Sequence, residues 1–239
     1  MKKTTVRTIA RLGYIWIFRY RQTHYALKES QKGNYEPSYQ ALRDYSIQVN
    51  RAAGARVIYH GLENLPEEPG VLFVSNHQSY FDIPIIAAVM VTPTTFIARN
   101  TLGKVPALAT WMKMIDAIFL DRDDVRQALK CMQQAGERLK KGQNVVIFPE
   151  GTRSRSDDHG EFKLGSLKPA FIAKTAVVPV CIDGSHALFE SNEGFHVVPR
   201  EVHCYIGKPI DVSQMKRADQ KELQRNMEDI VFNLKNLIP

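Results

Sequence analysis

What the chain has little of excludes several classes at once. Its three cysteines, Cys131, Cys181 and Cys204, are odd in number, scattered and without ligand spacing, so neither a disulfide framework nor a zinc site is expected, and a reducing compartment fits. The seven histidines form no His-Glu-x-x-His or paired-ligand pattern, so no metal is expected. No window of about 18 uncharged apolar residues occurs, which argues against a membrane-spanning helix. After Lys2-Lys3 the apolar residues are interrupted by Arg7, Arg11, Arg19 and Arg21, so no signal-peptide core is expected either. There is no Gly-x-x-x-x-Gly-Lys nucleotide loop, no Gly-x-Ser-x-Gly nucleophile elbow, no internal repeat and no low-complexity tract.

What is there is ordinary globular composition, 44% hydrophobic and 24% charged over 239 residues, enough to bury a sizeable core. The net charge of +7 is unevenly placed. Residues 1–60 hold eleven Lys and Arg against three acids, and the remainder is nearly balanced. A basic segment of this kind suits a polyanion: nucleic acid, an anionic membrane surface or an acidic carrier protein.

Residues 4–28 mix Ile9, Leu12, Ile15 and Trp16 with Arg11 and Arg19 at helical spacing, which predicts one basic amphipathic helix. Lipid contact and packing on the rest of the chain both remain open for it. A turn over "QKGNYEPS" and a second helical stretch ending at Gly54 complete an N-terminal helical segment, 1–54. From 55 to 239 the pattern changes to short runs rich in Val, Ile and Phe, at 55–59, 71–75, 94–98, 117–120, 144–148, 177–182 and 202–206. Helical patterns lie between several of them, the clearest from Asp123 to about Lys141, and another covers about 213–236. The alternation predicts an α/β fold: a mixed, largely parallel sheet flanked by helices.

Two strand ends carry chemistry. The first run stops at Asn76-His77 and reaches Asp82 five residues later. On a uniform helix that offset leaves the two side chains about 140 degrees apart, so a turn must intervene for them to meet. Pro84 fits such a turn followed by a helix start. A carboxylate on one ring nitrogen fixes the tautomer and leaves the other nitrogen to take a proton from an alcohol. The plainer alternative, a hydrogen-bonded loop histidine and an aspartate capping the next helix, stays open on these residues alone.

The second strand end reads Phe148-Pro149-Glu150-Gly151-Thr152-Arg153. Glycine permits a tight turn that exposes amide donors, threonine adds a hydroxyl, and arginine presents a planar fork matched to phosphate. A proton acceptor at one strand end and an anion grip at another suggest a phosphorylated substrate whose hydroxyl is activated.

The two blocks, "NHQSYFD" and "FPEGTRS" about seventy residues later, resemble the glycerolipid acyltransferase family, typified by the 1-acyl-sn-glycerol-3-phosphate acyltransferases. Asn76, His77 and Asp82 match its Asn-His-x-x-x-x-Asp motif, and Phe148 to Ser154 match its second block; "IFLDR" and "VVPV" follow the family's order. The chain departs from the pattern at Asp116-Ala117, where glycine is common, and in having a basic helix where a long apolar anchor is common.

The resemblance implies His77 as general base on an acceptor hydroxyl that attacks an acyl thioester, acyl-CoA or acyl carrier protein, with Asp82 orienting it. It implies Arg153 and Arg122 as phosphate ligands, Glu150, Gly151 and Thr152 as pocket residues, and Arg99 near the reacting centre. It implies no cofactor and an sn-2 hydroxyl of a lysophospholipid as acceptor, whereas the basic helix in place of an apolar anchor suggests peripheral attachment to the cytoplasmic face of an anionic membrane. Leu102, Val105, Leu108, Trp111, Met112 and Met114 are available for an acyl groove, with ordinary core the expected use of most of them. Glycerol 3-phosphate or another lysolipid remains an alternative acceptor. A non-catalytic basic module for membrane or nucleic acid is the reading from another class, although no RNA-binding signature is present.

Overall fold

The computed structural model describes residues 3–100, 106–121, 124–194 and 196–237. Three helices come first: α1 (Lys3–Phe18), α2 (Tyr20–Ser30) and α3 (Glu36–Ala53). The single helix expected over 4–28 is thus two. Arg19 leaves helical geometry (φ −94°, ψ 4°), yet its N–H still donates to Ile15 and Thr23 N–H still donates to Arg19, so the break is a one-residue kink. At the kink Arg19 donates to Gln22 at 2.6 Å and pairs with Asp44 of α3 at 3.1 Å, and beyond it α2 packs on α3, where Ala26 is fully buried. Gly54 ends α3 in the left-handed region (φ 72°), as its position after the last helical residue predicts.

The rest alternates strands β1 (Arg56–His60), β2 (Leu72–Ser75), β3 (Thr94–Arg99), β4 (Ile118–Leu120), β5 (Asn144–Ile147), β6 (Ala176–Asp183), β7 (Glu201–Ile206) and β8 (Ile210–Asp211) with helices α4 (Asp82–Ala87), α5 (Pro106–Met114), α6 (Val125–Lys140), α7 (Lys168–Ala173) and α8 (Arg217–Leu237). The sheet order is β1-β7-β6-β2-β5-β3-β4, with the two-residue β8, too short to leave a sequence pattern, paired to β6. Among the described residues only β6–β7 and β6–β8 pair antiparallel, and β2 to β6 all point one way.

Period-two alternation divides the core. Phe73, Phe96, Val146 and Val178 face α3, α4 and α5, while Leu72, Val74, Val145 and Ile147 face α6, α7 and α8. β2 and β5 are buried on both faces, which is why they read as continuous apolar runs. Their parallel register, Leu72 opposite Val145 and Val74 opposite Ile147, ends both at one edge of the sheet. The β2–β6 register, Ser75 opposite Val180, brings the end of β6 to the same edge. Among the described residues no helix is long and apolar enough to cross a membrane.

Asn144 holds the opposite end of the central strands. Its Oδ1 accepts from the buried Gly70 and Val71 amides at 2.9 and 3.0 Å, and its Nδ2 donates to the half-buried Thr92 Oγ1 at 2.7 Å. Asn144→Ala strands two buried N–H donors at a cost of about 2–4 kcal/mol. Urea unfolding is expected to show a lower midpoint with unchanged slope; an unchanged midpoint would refute this role.

Candidate active site

Beyond Ser75 the chain leaves the sheet and turns back on itself, so that Asp82 opens α4 beneath His77. The Asp82 side chain is 0% exposed. Its Oδ2 accepts from His77 Nδ1 at 2.7 Å and from the Gln78 and Ser79 amides at 2.7 and 2.8 Å; its Oδ1 accepts from Ser185 Oγ at 2.5 Å. Four donors converge on two oxygens, so the buried carboxylate is satisfied without water. With Nδ1 donating to a carboxylate, the hydrogen-bond network assigns the free lone pair of neutral His77 to Nε2, for which no described residue supplies a partner. The ring stacks on Phe148, centroids 4.1 Å apart and planes 18° apart, which holds it at the cleft wall.

Asn76 has a different use. Its amide donates to Ile182 O at 2.8 Å and accepts from Ile182 N at 2.7 Å, extending the β2–β6 pairing by a side chain.

The second block follows β5. Gly151 takes φ 72°, a left-handed conformation that favours glycine, with the end of the Lys163 side chain packed over it. Ser154 N–H donates to His77 O at 2.8 Å and Arg155 N–H to Gln78 O at 3.2 Å, so the two blocks are joined through backbone. Glu150 joins them again: its buried carboxylate accepts from His77 N–H at 2.7 Å and Gly160 N–H at 2.9 Å. It is therefore a strut behind the loop and does not line the cleft. Glutamate in a turn looks like a ligand from sequence; only the fold reveals that it points inward.

The cleft itself encloses about 580 Å³. Arg99, Gly151, Thr152 and Arg153 line it together with His77, and Arg99 is exposed at the end of β3. Arg126, Arg155, Lys163 and Lys168 add positive charge, and no acidic residue lines it among the described residues. Arg122 falls outside the described residues. The Arg153 guanidinium lies 3.4 Å from the Tyr80 ring centroid and its Nη1 donates to Glu190 Oε1 at 2.8 Å. Cation–π contact and ion pair together fix the fork.

Among the described residues, none of 101–119 supplies the apolar wall. Trp111, Met112 and Met114 are buried in the protein interior, while Leu102, Val105 and the side chain of Leu108 lie outside the described residues. Phe96, Leu120, Leu129, Met132 and Leu164 supply it instead. Sequence reasoning also missed Ser185 and Glu190. They sit in "GSHALFES" directly after β6, with no motif of their own, and the available signal was only that polar residues follow the end of a buried strand.

The acyltransferase family model matches residues 56–183, a span that includes both blocks. The chain belongs to the acyltransferase family. Among relatives of this acyltransferase, the 1-acyl-sn-glycerol-3-phosphate acyltransferase of Borreliella burgdorferi is 28% identical over 177 residues, covering 74% of this chain and 70% of its own. The Pseudomonas aeruginosa protein of the same name is 35% identical over 165 residues, covering 68% and 63%. In fold the acyltransferase is similar to the crystal structure of the 1-acyl-sn-glycerophosphate (LPA) acyltransferase PlsC from Thermotoga maritima, with TM-score 0.75, 24% identity and 98% of each chain covered.

Burial pushes the Glu150 carboxyl above its ordinary 4.5, against the downward pull of its two amide bonds. The folded state therefore holds the proton longer than the unfolded one, and this group's contribution is most favourable below 4.5 and declines as pH rises through the interval above it. Glu150→Gln is permanently neutral. The unfolding free energy of the parent minus that of the variant is expected to fall as pH rises from 4.5, measured by denaturant titration; a rising difference would contradict this assignment.

Proposed function

We propose that the protein transfers a fatty acyl group from an acyl thioester, acyl-CoA or acyl carrier protein, to the sn-2 hydroxyl of 1-acyl-glycerol 3-phosphate, giving phosphatidic acid for phospholipid biosynthesis. The observation that carries this is the meeting of a carboxylate-backed His77 and a basic cleft that holds Arg153 and, among the described residues, has no acid in its lining.

His77 Nε2 takes the hydroxyl proton as the acceptor oxygen bonds to the thioester carbonyl carbon. The tetrahedral species then collapses, the carbon–sulfur bond breaks, and the imidazolium returns the proton to the leaving thiolate. Asp82 keeps the ring in the productive tautomer, and proton transfer by the base so positioned contributes about 10²- to 10⁴-fold. The acceptor attacks directly, so no serine nucleophile is invoked. Arg153 takes the acceptor phosphate, with Thr152 and the Gly151 turn shaping the pocket beside it, and Arg99 faces the same cleft. The acyl chain lies along Phe96, Leu129 and Leu164.

The protein works at the cytoplasmic face of an anionic membrane, bound peripherally. Supporting this, the outward side of α1 exposes Val6, Ile9, Tyr14 and Ile17 beside Arg7 and Arg11, whereas its inward side is pinned by Thr8 Oγ1 donating to Ala52 O at 3.1 Å. Each basic residue near the lipid would add about 1 kcal/mol.

The test is labelled acyl transfer to lysophosphatidic acid from each donor, with vesicles and with detergent-dispersed substrate. The parent is expected to transfer, a folded His77→Ala variant to lose nearly all activity in both formats, and a variant with Ser at 6, 9, 14 and 17 to lose activity only with vesicles. Equal transfer by parent and His77→Ala would remove the base; equal vesicle activity in the serine variant would remove the membrane face.

A further inference from the structure

Glu190 lies outside the matched family region and outside both motif blocks, yet its side chain is only 4% exposed and it touches both blocks. Its Oε2 accepts from Ser79 Oγ at 2.5 Å, and its Oε1 accepts from the Tyr80 amide at 2.8 Å and from Arg153 Nη1 at 2.8 Å. Ser79 and Tyr80 belong to the turn between His77 and Asp82; Arg153 belongs to the turn after β5. Glu190 does not line the cleft, so it meets the substrate only through these neighbours.

We propose that Glu190 is a positioning residue that sets the Arg153 guanidinium for the phosphate of the acceptor. This rests on the reading of Arg153 as a phosphate ligand. The fork has five N–H donors; Glu190 occupies one, the Tyr80 ring covers a face, and the other donors remain for an incoming phosphate. An arginine left to itself would have to be ordered by the ligand at each binding event, whereas this one is ordered beforehand. The carboxylate is itself held in place. Within its segment, Ser191 Oγ donates to Arg155 O at 3.1 Å, His186 Nε2 meets Asp157 Oδ1 at 2.8 Å, and Ser185 reaches Asp82. The segment after β6 is thus latched to the loop that carries Arg153 and to the turn that carries the base, and Glu190 is its contact with the guanidinium.

A staple that only held loops together would affect every acceptor alike; a residue that aims Arg153 acts on the phosphate. The experiment therefore measures dissociation constants of the full chain, without acyl donor, for lysophosphatidic acid and for monoacylglycerol of the same chain length in mixed micelles. The parent, Glu190→Gln, Arg153→Ala and the double variant are compared, with melting temperatures recorded. Glu190→Gln is expected to weaken lysophosphatidic acid about tenfold, to leave monoacylglycerol within twofold, and to add less than twofold in the Arg153→Ala background. Glu190→Asp, which keeps the charge on a shorter arm, is expected to recover part of the loss, and it carries the same cycle if Glu190→Gln does not fold. Equal weakening of both lipids, an undiminished effect without Arg153, or no effect overturns the inference while Arg153 keeps its role. Equal affinity of the parent for the two lipids, or an Arg153→Ala variant that keeps the parent's full preference for lysophosphatidic acid, overturns the phosphate-ligand reading and this inference with it.

Discussion

The Asp82 carboxylate, sealed from solvent, gathers four hydrogen bonds under the end of the central strands, and the geometry of the site depends on it. Two of the donors are backbone amides of the turn that it closes, one is the histidine that the turn presents, and one comes from the segment after β6. The same group therefore shapes a loop, chooses a tautomer and ties in a distant part of the chain. A buried charge is costly when any partner is removed, so the arrangement tolerates little change.

The sheet supplies what the carboxylate cannot. Two parallel strands side by side deliver their C-terminal ends together, which is how residues about seventy positions apart form one cleft. Backbone bonds from Ser154 to His77 and from Arg155 to Gln78 then make the two turns a single surface, and Glu150 braces it from behind. Among the described residues, positive charge meets no acid on the cleft side and is compensated on the inner side, where Glu190 meets Arg153.

Much of this was legible in the residues. The seven strand runs, Gly54 as a helix stop and the need for a turn between His77 and Asp82 follow from local patterns, and all are present in the fold. What was not legible depended on distant partners. The kink at Arg19 falls where α2 packs on α3 and Arg19 pairs with Asp44, contacts between helices that a local pattern does not carry. Glu150 looks like a cleft residue until the neighbouring strand supplies the His77 amide that it binds. Trp111 and Met114 carry the same apolar signal whether they line a groove or fill the interior, and they fill it. Ser185 and Glu190 have no sequence pattern because their meaning lies in which strand end β6 stands beside.

The central claim is that Asp82 holds the proton of neutral His77 on Nδ1 and leaves Nε2 as the base. Nitrogen-15 NMR of the imidazole in the full chain, assigned by comparison with His77→Gln, reads this directly. The account predicts a protonated Nδ1 and an unprotonated Nε2 in the neutral ring, with the preference lost in Asp82→Asn. A neutral ring protonated on Nε2 in the parent would contradict it, because the nitrogen facing the cleft would then have no lone pair to offer.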